Sequence, residues 1–210
     1  SAINNFAVRE AQGEYLLFLN NDVEIITENW LEEMLQLCQQ KDVGMAGAKL
    51  YYPDDTIQHA GVVVGLGGVA AHVLCKLPRD AEGYMGRLRC VQEISAVTAA
   101  CMMVKTSVFK AVGGFDEELK VAFNDIDLCM KVRKYGVKIV FTPYAELYHY
   151  ESKSRGMEDT PEKQLRFSRE VNCFRRKWER ELLKGDPYYN PNLTLNNTDC
   201  SLRKQEKNGD

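Results

Sequence analysis

The stretch Tyr15-Leu-Leu-Phe-Leu-Asn-Asn-Asp22 decides how this chain is read. Five largely apolar residues run directly into three polar ones, and the last carries a carboxylate. A short apolar run bounded by turn-forming residues has the pattern of a buried strand. Such a strand delivers Asp22 to the edge of a sheet, and the edge of an open α/β sheet is where ligands bind. Every later feature can be asked whether it supplies a partner for Asp22.

Working outward, the 210 residues suffice for one substantial domain, or one domain with appendages. A hydrophobic content of 45% and a charged content of 27% are ordinary for a globular chain. The net charge of -3 gives no basis for nucleic-acid binding. No apolar run approaches the roughly 18 residues of a membrane span, and the start lacks the basic-then-apolar pattern of a signal peptide. The seven cysteines are scattered without a C-x-x-C pair. They read as reduced core thiols of a cytoplasmic protein, not as disulfides or a zinc site. The chain opens without Met in what reads as a helix, with Ile3, Phe6 and Ala7 at helical spacing and Gly13 as its cap. The expectation is a chain that begins inside a larger domain.

Downstream, Thr27 is an expected N-cap for a helix bearing Leu31, Met34, Leu35 and Cys38. Residues 43–50 and 57–64 read as strands separated by turn chemistry, and residues 70–84 as irregular. The long apolar run 91–104 holds a core strand in its second half. A short helix over 105–112 closes at Gly113-Gly114. A helix opens at Asn124-Asp-Ile-Asp127 and closes at Gly136, followed by a short strand over 137–142. Thr160-Pro161 starts a helix running to Lys184, with an apolar stripe of Phe167, Val171, Phe174, Trp178 and Leu182. The expected organisation is a principal unit over 1–158, an amphipathic helix packed on it over 159–185, and an irregular tail over 186–210 whose end is disordered.

Three constellations bear chemistry. Asn20-Asn-Asp22 offers oxygen ligands of the kind a hard divalent cation shares with phosphates, although a plain turn uses the same residues. In Asn124-Asp-Ile-Asp127 the carboxylates suit a helix N-terminus, or one of them serves as a general base. His149 follows a strand and precedes a basic loop, Ser152-Lys-Ser-Arg-Gly156. There Lys153 and Arg155 would meet phosphates, Arg155 with fork geometry. His59 and His72 lie in segments without an acidic companion and are assigned to structure.

Taken in order, Gly13-Glu-Tyr-Leu-Leu-Phe-Leu-Asn-Asn-Asp22, Gly113-Gly-Phe-Asp116, Asn124-Asp-Ile-Asp-Leu-Cys129 and Tyr148-His149 resemble the second half of an inverting glycosyltransferase domain of family 2, with the GT-A fold. The likeness covers residues 1–156. Segments 48–61 and 186–193 extend it toward bacterial enzymes of surface-polysaccharide synthesis that are rhamnosyltransferase-like. The resemblance implies an α/β fold: a partial GT-A unit, its mixed sheet flanked by helices, without the N-terminal nucleotide-binding strands.

It also implies roles. Asp22, His149 and Asn20 would hold Mg2+ or Mn2+ on the diphosphate of a nucleotide-sugar donor. An amide at position 20, where the family usually has a carboxylate, would weaken that site. Asp125 would be the catalytic base, and Asp127 would support it or contact the acceptor. Gly113, Gly114, Phe115 and Asp116 would shape the sugar pocket, with Asn124, Lys153 and Arg155 also on the substrate. The acceptor would be a glycan or lipid-linked hydroxyl, and the enzyme would work in the cytoplasm or at the inner face of the plasma membrane. An excised part would have little activity alone, and its open sheet edge would favour self-association. The competing expectation is a non-catalytic glycan-binding or scaffolding module. A metal-dependent nucleotidyltransferase would leave Asn124-Asp-Ile-Asp127 without a role.

Overall fold

The computed structural model describes residues 1–151 and 160–204. In chain order the elements are α1 (Ala2–Glu10), β1 (Tyr15–Leu19), β2 (Val23–Ile25), α2 (Trp30–Cys38), β3 (Val43–Tyr51), β4 (Ile57–His59), β5 (Val62–Val64), β6 (Ala70–His72), β7 (Gln92–Glu93), β8 (Cys101–Lys105), α3 (Thr106–Ala111), α4 (Asn124–Tyr135), β9 (Lys138–His149), α5 (Pro161–Lys177) and α6 (Glu179–Lys184). The main sheet runs β1-β8-β3-β9-β2, with β4 beside β3 and β7 beside β9. β5 and β6 form a separate pair. Among the described residues only β3 and β9 are parallel neighbours, so the sheet is mixed, as expected.

The pairing gives the sheet a functional edge. β1 is antiparallel to β8, and β8 is antiparallel to β3. Hence β1, β3 and β9 all point the same way, and their carboxyl ends lie on one edge. There β1 leads into Asn20, β9 ends at His149 and β3 turns into β4. β8 runs the other way, so the residues preceding it, 98–100, reach the same edge.

Apolar residues explain both layers. One face of β3, β8 and β9 packs on α2 through Trp30, Met34, Leu37 and Cys38 against Ala46, Leu50, Met103 and Leu147. The opposite face carries the larger core, where Met45, Met102, Val104 and Phe141 meet Leu128, Val132, Phe174 and Trp178. Phe18 of β1 packs edge-on to Phe115, with ring centroids 4.9 Å apart.

Several elements differ from the sequence reading. Ala11, with an extended backbone, ends α1, so Gly13 is not its cap. α2 starts at Trp30 after Asn29, and the Thr27 hydroxyl instead accepts the N–H of Glu146. The strand expected over 57–64 is two strands. Gly61, at φ 101°, breaks the ladder in a conformation that costs a side-chain-bearing residue dearly. The strand expected to end at Thr142 runs on through Pro143 to His149, because β3 and then β2 pair with its second half. Trp178 interrupts the last helix. All seven cysteines are free thiols, four of them buried. The tail through residue 204 packs on the body: Asp186 accepts the N–H of Val64, and Leu195 and Thr198 accept those of Gly67 and Leu74.

Candidate active site

Strand register creates the first contact. β2 pairs with β9 so that Val23 lies opposite His149, and the Tyr150 N–H donates to the Asp22 carbonyl at 2.8 Å. Asp22 Oδ1 consequently lies 3.2 Å from His149 Nε2, with both side chains largely covered. Asn20 Nδ2 is 3.0 Å from the same nitrogen. Three residues the sequence singled out for a cation therefore converge on one point.

The loop 98–100 joins this point to α4. The Asn20 N–H donates to the Ala100 carbonyl at 3.0 Å, and the Ala99 N–H donates to Asp125 Oδ2 at 3.2 Å. Val97, just before, packs over Gly47 of β3 so closely that a Cβ there would sit 2.3 Å from a Val97 methyl. Cys129 of α4 exchanges contacts with the Val97 backbone, and burial pushes its thiol up. Asp125 itself is half-buried at the first turn of α4, beside Asn124.

The turn that launches α4 is held by a residue the sequence reading passed over. Glu170 of α5 is buried, and its carboxylate accepts from the backbone N–H groups of Lys120, Val121 and Ala122 at 2.9, 3.0 and 2.9 Å. Phe123 then adopts φ 61° directly before the helix, its ring against Phe167 and Phe174.

Asp127 behaves differently from Asp125. It is completely buried, accepts from Trp178 Nε1 at 2.8 Å, and lies 2.8 Å from Lys177 Nζ and 3.3 Å from Lys131 Nζ. A carboxylate so enclosed is not placed to touch an acceptor. It fastens α4 to the C-terminal end of α5. The segment 113–116 is likewise structural in its contacts. The Phe115 N–H donates to Asn5 Oδ1, Phe115 enters the aromatic core, and Asp116 pairs with Lys177. Gly113, Gly114 and Phe115 do line a cavity of about 410 Å3, but its other walls come from α1, α3 and Glu117. Lys153 and Arg155 lie outside the described residues.

His59 is fully buried and His72 half-buried beside it, and both adjoin the site. His59 Nδ1 and His72 Nδ1 are 3.1 Å apart, and His72 Nδ1 donates to the Gln58 carbonyl at 3.0 Å. The Thr98 N–H points at His59 Nε2 from 3.4 Å. Burial pushes both imidazoles below their usual value, with Asp125 and Glu151 pulling His72 back up. Gln58 lies between this pair and His149, bonded to the ring and to the backbone of His149. Its place beside His59 in a strand after a turn was the sequence signal available.

A carboxylate oxygen, an imidazole nitrogen and an amide whose rotation would present Oδ1 form a donor set that suits Mg2+ or Mn2+. Among the described residues, no group of three His, Cys, Asp or Glu side chains is arranged to hold a metal by itself. A cation here would draw its remaining ligands from oxygens of a bound molecule and water.

A family model described as "Glycosyltransferase like family" matches residues 1–170. The chain belongs to this glycosyltransferase-like family. It is 56% identical over 203 residues to the protein y4gI of Sinorhizobium fredii, covering 96% of this chain and 22% of that protein. Its identity to the O-antigen biosynthesis protein RfbC of Myxococcus xanthus is 41% over 210 residues, all of this chain and 16% of RfbC. The chain thus spans about a fifth of the length of these relatives. An N-acetylglucosaminyl-diphospho-decaprenol L-rhamnosyltransferase of Mycobacterium tuberculosis is 36% identical over 62 residues, 30% of this chain and 20% of that enzyme.

Among solved structures, GalNAc-T7 with UDP, GalNAc and Mn2+ superposes with a TM-score of 0.61 at 14% identity. It matches 87% of the glycosyltransferase-like chain and 35% of its own. The mannosyltransferase PcManGT of Pyrobaculum calidifontis, in complex with GDP-Man and Mn2+, gives a TM-score of 0.53 at 16% identity, with 84% and 42% covered. The fold is that of GT-A glycosyltransferases. No helix among the described residues is long and apolar enough to cross a membrane.

Proposed function

We propose that this glycosyltransferase-like unit provides the cation and acceptor side of an inverting transferase that moves a sugar from a nucleotide diphosphate to a hydroxyl. The acceptor is a glycan or lipid-linked sugar of cell-surface polysaccharide synthesis, consistent with the O-antigen and rhamnosyltransferase names of its relatives. The observation that carries this reading is the 3.2 Å approach of Asp22 to His149, residues far apart in sequence that strand pairing brings to one sheet edge.

Asp22 and His149, with Asn20, would hold the Mg2+ or Mn2+. When bound, the cation offsets the charge that develops on the departing diphosphate. Asp125 accepts the proton of the attacking hydroxyl. The Ala99 N–H fixes one carboxylate oxygen of Asp125 at the first turn of α4. Asp127 is enclosed, which leaves Asp125 to act as a base without a second carboxylate facing it from the same helix turn. Direct displacement with one base inverts the anomeric centre.

The test is thermal denaturation with Mn2+ and UDP or GDP, with and without EDTA. The chain should gain stability only when cation and nucleotide are both present, by mass action. Asp22→Ala and His149→Ala should abolish the gain. Equal stabilisation of the Asp22→Ala protein would remove Asp22 from the site.

A further inference from the structure

We propose that Gln58 is a positioning residue for His149. It holds the imidazole as the Nδ1–H tautomer and presents the Nε2 lone pair to Asp22 and Asn20. The inference deepens the reading of Asp22 and His149 as a cation site and rests on it for its purpose, though not for its geometry.

The geometry can be followed atom by atom. Gln58 is 4% exposed on β4. Its Nε2 lies 3.2 Å from the backbone carbonyl of His149 and 3.5 Å from Glu151 Oε2. Both of those oxygens accept hydrogen bonds, so the amide must direct its NH2 toward them. Its Oε1 then faces the ring, 2.7 Å from His149 Nδ1. An amide oxygen cannot donate, so the proton of this bond belongs to Nδ1. In the neutral imidazole Nε2 is then a lone pair, and the Asn20 amide 3.0 Å away supplies a donor to it. Asp22 Oδ1 stands 3.2 Å from the same nitrogen. A lone pair beside a carboxylate oxygen is unfavourable until a cation lies between them.

Gln58 is itself held from behind. Its backbone carbonyl accepts from His72 Nδ1, and His72 is seated against His59. Ligating histidines usually donate their second nitrogen to an oxygen, which fixes ring and tautomer, and losing that partner costs roughly 10–100-fold in metal affinity. A neutral amide in this position orients the ring without adding charge. That suits a cation that arrives and leaves with a diphosphate.

The experiment uses the whole chain and two variants, Gln58→Leu and Gln58→Glu, at neutral pH. Long-range 1H–15N NMR reports the tautomer of each of the three imidazoles, and a His149→Ala sample assigns the signals. Mn2+ with UDP as the diphosphate probe is then titrated, and broadening of the His149 signals is read. The wild type should show Nδ1–H at His149. Gln58→Leu should lose that pattern and need roughly 10–100-fold more Mn2+ for equal broadening. Gln58→Glu, which still accepts from Nδ1, should keep the pattern, and it carries the test if the leucine variant does not fold. An Nε2–H or doubly protonated His149 in the wild type overturns the proposal, as does an unchanged Nδ1–H in Gln58→Leu. If the tautomer changes as expected but Mn2+ broadens neither protein, the positioning role stands and the cation reading fails.

Discussion

The Ala99 N–H donates to Asp125 Oδ2 across 3.2 Å, and the next residue's carbonyl accepts from Asn20. Two peptide units thus tie the start of α4 to the end of β1. The donor-side and acceptor-side residues of the proposed reaction share one rigid loop, itself pinned at Val97 by Gly47 and Cys129.

Asp125→Asn keeps an oxygen to accept the Ala99 N–H and removes the base. Transfer by the full-length enzyme should fall by roughly 10²–10⁴ in kcat, with Mn2+–nucleotide binding and thermal stability unchanged. Steady-state kinetics beside a melting curve checks this, and near-normal kcat would remove Asp125 as base.

Asp127→Ala should act on stability instead. It removes the acceptor of Trp178 Nε1 and leaves Lys177 with Asp116 alone; both groups now meet the Asp127 carboxylate at 2.8 Å. Breaking a buried ion pair on one side costs about 3 kcal/mol or more. Lys177 keeps Asp116, Lys131 keeps the Gly114 carbonyl, and both retain partial access to water, so the loss should fall at or below the low end of that range. Urea denaturation measures it, and Asp127→Asn, which can still accept from Trp178, should lose less.

Glu170→Ala should loosen the approach to α4. Three backbone N–H groups lose their acceptor. Leaving buried donors without a partner costs on the order of 1–3 kcal/mol each where water cannot replace it. The predicted result is a lower melting temperature together with faster amide exchange at residues 120–122, read by hydrogen exchange. Exchange confined to other segments would contradict the role given to Glu170.

Stability should fall in mild acid because of His59 and His72. Burial holds both below the usual 6.5. The neighbouring His72 and His149 add to the effect at His59, while Asp125 and Glu151 oppose it at His72. The folded-state values lie below the unfolded one, so the unfolded chain binds more protons once the pH drops through about 6.5. Their contribution is complete above that pH and is lost below it. The slope is at most about 1.4 kcal/mol per pH unit for each histidine. Urea midpoints compared between about pH 7.5 and 5.5 test this, and His59→Asn should flatten the dependence.

What the sequence determined by itself was local. The apolar run ending in Asp22, the helix opened by Asn124-Asp-Ile-Asp127 and the Thr160-Pro161 start are short-range patterns, and each element forms where its pattern lies. The family likeness is readable at the same level, because motif order survives in a linear chain. The tertiary structure decided which of two similar carboxylates could meet a ligand. Asp125 and Asp127 differ by two positions on a helix of 3.6 residues per turn. Their faces diverge, and only the packing of Lys177 and Trp178 shows that Asp127 is the enclosed one. It decided the length of β9 as well, since Pro143 argues locally against a strand and pairing with β3 and β2 overrides it. The support around His149 was equally beyond a linear reading. Gln58 is an unremarkable amide until strand order carries it to the carboxyl edge of the sheet, where its two hydrogen bonds meet one histidine 91 residues away.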